Sequence, residues 1–263
     1  MAQHNLNNII VDRVLRGIFS DKNDNIIFSL NQIQDLSINS TSESQDIVDA
    51  LGVSIMELMR SKAIEVSANN AIFDLGLMAT QYGTEKVAAT ATDKLTVPFM
   101  ETFAVEGTTH KLKFAPVGEV TAIYALNGDS TLGEKYTVSA DAADDKTFNI
   151  TGQDITLPTN LAEGTEMFVM YEYESENAVE VINSANKFPQ MGKMTFEVLA
   201  YDVCDPETKM LAYVILPRFQ LSGDMDWSIG GDNQQHPFSG KAKVDYCDKD
   251  KQMVRIVVVD DEE

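Results

Sequence analysis

Three histidines are the first residues to weigh for chemistry, and His4, His110 and His236 stand far apart with no HxH or HExxH spacing. Zinc ligation would need distant cysteines or carboxylates to join them, so no metal site is expected and the three read as surface or rim residues. Asp21, Asn23 and Asn25 alternate as calcium-loop ligands do. An EF-hand then needs Gly at its sixth position and Glu at its twelfth, where this chain has Ile26 and Gln32, so a polar turn is the better account. No G-x-S-x-G elbow, Walker A loop or G-x-G-x-x-G follows a strand, and Gly230-Gly231 stands alone in a polar loop. Carboxylate pairs occur throughout the chain, and Asp141, Asp144 and Asp145 read as a solvated loop rather than an acid-base dyad. Tyr171, Tyr173 and Trp227 could form a sugar platform, but their positions on a strand or beside a loop favour core or interface packing. Cys204 and Cys247 are too few for a disulfide framework and read as buried free thiols. Neither an enzyme activity nor a cofactor is expected.

Charge is the outlier. Among 263 residues, 41 Asp and Glu face 20 Lys and Arg, a net charge of −21. Nucleic acid and anionic membranes reward clustered basic residues, so a chain this acidic is a poor candidate to grip either. No apolar run approaches the roughly 20 residues that would span a bilayer, and Met1 to Gly17 contains no continuous apolar stretch of the kind that marks a secretion signal. A product assembled in a cytoplasm is expected.

Period-two alternation runs through most of the chain, which makes it mainly β. Ile26, Phe28 and Leu30 follow a polar stretch, Ser20 to Asn25, that joins them to the apolar run around Val14 and Ile18. Ile55 to Arg60 and Ala63 to Val66 form one long strand or a bent one. Phe196, Val198 and Ala200 lead through Asp205-Pro206-Glu207-Thr208, which supplies turn chemistry, to Leu211, Tyr213, Ile215, Phe219 and Leu221, placed on one face. Between Ser67 and Gly83 the period changes: Ala68, Ala71, Ile72, Leu75, Met78, Ala79 and Tyr82 fall at steps of three and four. One helix is expected there, capped by Ser67 and stopped by Gly83.

From Glu106 to Ser175 short alternating runs are separated by Gly-containing turns, the pattern of a small β-sandwich. Residues 106–175 read as an inserted small β-domain, with 1–105 and 176–263 forming one discontinuous domain re-entered through Ser184 to Pro189. A single elaborated sandwich is the alternative.

The order of elements resembles the tail tube proteins of tailed bacteriophages. It is carried by Leu36-Ser37-Ile38-Asn39 and the polar Ser40 to Asp46 connection, by Arg60 to Val66 leading into Ser67-Ala68-Asn69-Asn70, and by Ile72 to Met78 ending at Gln81-Tyr82-Gly83-Thr84. Lys187-Phe188-Pro189 before a strand pair, and Pro217 to Gly223 before a closing segment from Trp227 to Lys243, continue it. The resemblance implies a β-sandwich or barrel with one flanking helix, in stacked hexameric rings whose inner strands join around a conduit for genome passage, and it implies that the 106–175 insertion is an outward-facing immunoglobulin-like β-sandwich. It also implies a place in the virion tail, with further copies of the chain and other tail proteins as partners. Asp and Glu would repel DNA within about a Debye length, roughly 8 Å at physiological salt, so an acidic wall would let a phosphate polymer pass without sticking. The Ser40 to Leu51 segment has apolar groups without an evident local partner, which makes Ile47, Val48 and Leu51 the candidate inter-ring contacts. Other virion roles, a head decoration or baseplate protein, and a β-sandwich adhesin or carbohydrate-binding module stand as alternatives.

Overall fold

A computed structural model of the chain describes residues 6, 8–204, 207–226, 235–244, 246 and 249–260. Strands β1 (Ile9–Ser20), β2 (Ile26–Leu30), β3 (Ile33–Val48) and β4 (Ser54–Asn70) precede helix α1 (Leu75–Tyr82). Next come β5 (Val87–Ala88), β6 (Leu95–Ala104), β7 (Thr109–Lys111), β8 (Ala122–Leu126), β9 (Leu132–Val138), β10 (Thr147–Thr151), β11 (Asp154–Thr156), β12 (Glu166–Ser175) and β13 (Val179–Glu180). The chain closes with β14 (Met191–Asp202), β15 (Lys209–Leu221), β16 (His236–Ala242) and β17 (Arg255–Asp260). Among the described residues the fold is mainly β with one helix, as the alternation and its single change of period predict. Among the described residues no helix is long and apolar enough to cross a membrane.

Two compact units divide the chain, one of residues 1–86 and 181–263, the other of 87–180. In the first, eight strands form a sheet in the order β2-β1-β14-β15-β16-β4-β3, with β17 branching from β15. This sheet curls. Ile33, on the last strand, lies so close to Gly17 of β1 that a Cβ there would fall 2.5 Å from its Cδ1. Inside the curl Phe19, Phe28, Val66, Met194, Phe196, Leu216, Phe219, Leu221 and Phe238 form the core, closed by Leu77 from α1.

The face expected for Leu211, Tyr213, Ile215, Phe219 and Leu221 breaks in two. Phe219 and Leu221 are buried with Met210, Ala212 and Leu216, while Leu211, Tyr213 and Ile215 lie half-buried. Gly192 pairs with Phe219 but Met194 pairs with Leu216, so β15 spends one extra residue at Pro217-Arg218. A bulge reverses the parity of the strand, and proline, lacking an N–H, suits that position.

The helix is shorter than its periodicity suggests. Ser67 and Ala68 belong to β4, where Ile64, Val66, Ala68 and Asn70 alternate inward and pair with β16. Asp74, not Ser67, caps α1, its Oδ1 accepting the Leu77 amide at 2.7 Å. Gly83 ends it as expected, at φ 71 in the left-handed region. Any side chain at 83 would also strike the Phe188 backbone, whose carbonyl oxygen lies 2.1 Å from the Cβ position.

In the second unit seven strands pair in the continuous order β6-β12-β8-β9-β10-β11-β7, with one parallel step between β9 and β10. Phe103, Leu112, Ile123, Tyr136, Phe148, Ile155, Met167, Val169 and Tyr171 fill its core. Its limits are wider than the expected 106–175. Strand β6, placed in the other domain by the sequence reading, pairs with β12 along its whole length, from Leu95↔Ser175 to Ala104↔Glu166.

Candidate assembly surface

The candidate contacts Ile47, Val48 and Leu51 lie on a β-hairpin. Ser40 to Val48, read from the sequence as a polar connection, is the outer half of β3 and pairs with β4 as far as Val48↔Ser54. The Ser, Thr and Gln of this stretch gave no strand signal because both of its faces meet solvent. Strand β16 pairs with β4 only from Asn70 to Ile64. Beyond that point β3 and β4 form a ribbon of two strands, exposed on both sides except at half-buried Leu58.

The tip is held by one carboxylate. Asp49 Oδ1 accepts the amide hydrogens of Leu51 at 2.8 Å and Val53 at 2.9 Å, and Gly52 takes φ 82 to complete the turn. Along the ribbon Arg60 donates to Gln45 Oε1 from Nε and Nη2, and Ser61 donates to Glu43. Register places Ile47 opposite Met56. Leu51 is 88% exposed, and Ile47, Val48, Val53, Ile55, Met56 and Met59 are also open to solvent. The last four are not among the contacts expected from the sequence, which reads Ile55 to Arg60 and Ala63 to Val66 as one long strand or a bent one; the structure makes them one strand, β4.

Other edges of the same sheet are open as well. Among the described residues strand β17, Arg-Ile-Val-Val-Val-Asp, pairs with β15 on one side only, and Ile256 is 65% exposed. Strand β2 ends the opposite branch with Ile26 and Ile27 exposed. Apolar edges of this kind are templates for pairing with another chain.

Charge is not spread evenly. The strands of the eight-stranded sheet hold nine acidic and nine basic residues. Several are paired across neighbouring elements: Arg16 with Glu197 at 3.8 Å, Lys193 with Asp24 at 3.0 Å, and Lys241 with Glu65 at 2.7 Å. The hydrogen bond from Lys241 and its charge hold the Glu65 carboxyl below its ordinary pKa. Residues 87–180 carry 16 acidic and 5 basic residues, 5 − 16 = −11 of the total −21.

The remaining sequence candidates separate. His236 is fully buried rather than on a rim, His110 is half-buried, and His4 lies outside the described residues. Cys204 is exposed, not buried, because it follows the end of β14 in the connection to β15; Cys247 lies outside the described residues. Asp21 is engaged in its own turn, accepting from the amides of Asn23 and Asn25 and from the Asn25 side chain. Asp141, Asp144 and Asp145 are exposed, with Asp144 bonded to Lys146 and Thr147. Trp227, Gly230-Gly231 and Asp205-Pro206 lie outside the described residues.

Tyr171 belongs to the core of the second unit, where its hydroxyl donates to Glu101 at 2.8 Å and accepts the Phe114 amide at 3.1 Å. Tyr173 stacks on Phe114 with ring centroids 4.0 Å apart, and Phe99 meets both edge-on. Lys113 covers Phe99 and Phe114. These rings are taken up by one another, which is packing rather than an open platform.

The described residues thus present a curled β-sheet with open edges and a two-stranded ribbon that extends beyond it. The chain belongs to the YomU/Tube protein family, which it matches over residues 8–256. The family is phage-derived, which supports a structural, tube-like phage protein and a place in the virion. No curated protein matches the chain.

Proposed function

We propose that the chain is the repeating subunit of a tail tube, assembled in the host cytoplasm as stacked rings of six copies around a conduit for the genome. The observation that carries this is the β3–β4 ribbon. A two-stranded hairpin is marginally stable in water by itself, yet this one extends beyond the sheet with apolar side chains on both strands. It gains its second layer from another copy. Ile47, Val48 and Leu51, with Val53, Met56 and Met59, are the contacts to the next ring. The open edges at β17 and β2 belong to one sheet and differ from each other, so neighbours join head to tail, the arrangement that closes into a ring when the rotation permits.

In this reading the conduit repels DNA with the carboxylates of the ribbon, where acidic residues outnumber basic ones. The ribbon contributes Glu43, Asp46, Asp49 and Glu57 against Arg60 and Lys62. Ile47→Asp with Leu51→Asp tests the assignment: both sites are exposed, so the variant keeps wild-type thermal stability while tubes shorten to isolated rings by electron microscopy. Tubes of normal length from the double variant would place stacking elsewhere.

A further inference from the structure

His236 opens β16 with no exposed surface, and both of its ring nitrogens are engaged. Nδ1 accepts the backbone N–H of Asp74 at 3.2 Å, so this nitrogen carries a lone pair. The hydrogen then resides on Nε2, which donates to Gln81 Oε1 at 2.9 Å. Gln81 in turn donates from Nε2 to the Pro237 carbonyl at 3.3 Å. One face of the imidazole stacks on Phe73, with centroids 4.7 Å apart and planes at 18°. A single neutral tautomer thus joins the first turn of α1, its last turn and the start of β16.

The cation cannot keep this geometry, because a proton on Nδ1 would face the Asp74 N–H, donor against donor. Burial opposes the charged ring and outweighs the pull of the Asp74 carboxylate, so its pKa is depressed. Among the described residues Asp74 is the charged group acting on the ring; Gln81 and Phe73, and Asn70, its register partner on β4, are neutral. Asn70 also pairs with Ile33 of β3, so His236 sits where β3, β4, β16 and the helix meet, at the end of the β4–β16 ladder away from the ribbon.

We propose that His236 is an acid-released pin: neutral, it locks α1 to the start of β16, and protonation frees the first turn of the helix. This goes beyond the assembly reading and does not depend on it. A depressed folded pKa means the unfolded chain binds the proton more readily. The contribution is therefore complete above the ordinary histidine value of about 6.5 and lost as pH falls through the lowered one.

Imidazole nitrogen NMR of the full chain, together with hydrogen exchange at the Asp74 amide, tests it. The His236 resonance should remain the Nε2–H tautomer below pH 6.5, and the Asp74 protection factor should fall as the ring finally titrates. His236→Asn keeps an acceptor near the Nδ1 position that cannot be protonated. In that variant the pH dependence of Asp74 protection should vanish, and unfolding should take up about one proton fewer between the lowered pKa and pH 6.5. An imidazole titrating near 6.5 with Asp74 protection unchanged would overturn the proposal, and this is read on the wild-type chain whether or not the variant folds.

Discussion

The ring of Phe219 lies across the backbone of Gly240: a Cβ at 240 would fall 2.4 Å from the ring's Cζ. The same arrangement recurs where Phe19 crosses Gly192, at 2.5 Å. Both rings are fully buried, and in each case the neighbouring strand yields space by having no side chain. Gly240→Ala and Gly192→Ala should each destabilise the protein by about 1–3 kcal/mol, because a close-packed core pays for added atoms with displaced rings. Thermal unfolding checks this; an unchanged midpoint for either variant would show that the rings have room to move.

In the second unit Glu101 is the hub of a polar network. It accepts from Tyr171 at 2.8 Å and from the Lys113 amide at 3.1 Å, and His110 Nε2 lies 3.0 Å away. Burial alone would raise its pKa, but the hydrogen bonds with His110, Tyr171 and Lys113 outweigh it and the carboxyl is held low. Burial, with the hydrogen bond to Glu101, pushes the Tyr171 phenol up to about 12. Stability from Glu101 is therefore present above the ordinary carboxylate range and lost as pH falls through its lowered pKa. Tyr171→Phe removes a donor to a half-buried carboxylate and an acceptor for the Phe114 amide, so it should cost about 1–3 kcal/mol. Denaturant unfolding of wild type, Tyr171→Phe and Glu101→Gln below and above pH 4.5 reads both effects; a Glu101→Gln chain with the wild-type acid profile would contradict the second.

The strands β5 and β13 bring the two ends of residues 87–180 together, with Val87 opposite Glu180 and Ala88 opposite Val179. Antiparallel partners lie about 5 Å apart at Cα, so a short Gly-Ser bridge from Lys86 to Val181 can replace the whole unit. The shortened chain should fold and still assemble, since the ribbon and the open edges all belong to the other unit. Failure to assemble, with the remaining unit folded by circular dichroism, would assign 87–180 a part in the ring.

How much of this was legible in the sequence depends on whether burial left a trace. Phe28 and Leu30 alternate with exposed Ile27 and Ser29, and β2 is where the pattern puts it. Gly83 ends the helix because its φ is positive, a backbone requirement that residue type reports directly. The outer half of β3 left no trace, since a strand exposed on both faces needs no apolar partner every second residue. The start of the helix was misplaced because Ala68 satisfies a helical step and a strand step equally; its pairing with Phe238 decides between them. His236 was misread for a related reason: its partners Asp74 and Gln81 lie more than 150 residues away in sequence. The bulge at Pro217-Arg218 is signalled by the proline, which interrupts the single face expected from Leu211 to Leu221.

The electrostatic part of the assembly account has its own test. Asp46 and Glu57 are register partners on the exposed ribbon, so Asp46→Lys with Glu57→Lys should leave folding intact. Tubes should form, while genome ejection from particles carrying the variant should slow and become more salt-dependent as the added cations take up phosphate. Ejection at the wild-type rate would remove these carboxylates from the conduit.

Negative-stain electron microscopy of the purified chain at high concentration bears most directly on the central claim that copies of it complete one another. Rings with a hollow centre, and tubes built by stacking them, are the predicted result. A population that remains single molecules at every concentration, with the ribbon exchanging its amides freely, would contradict it.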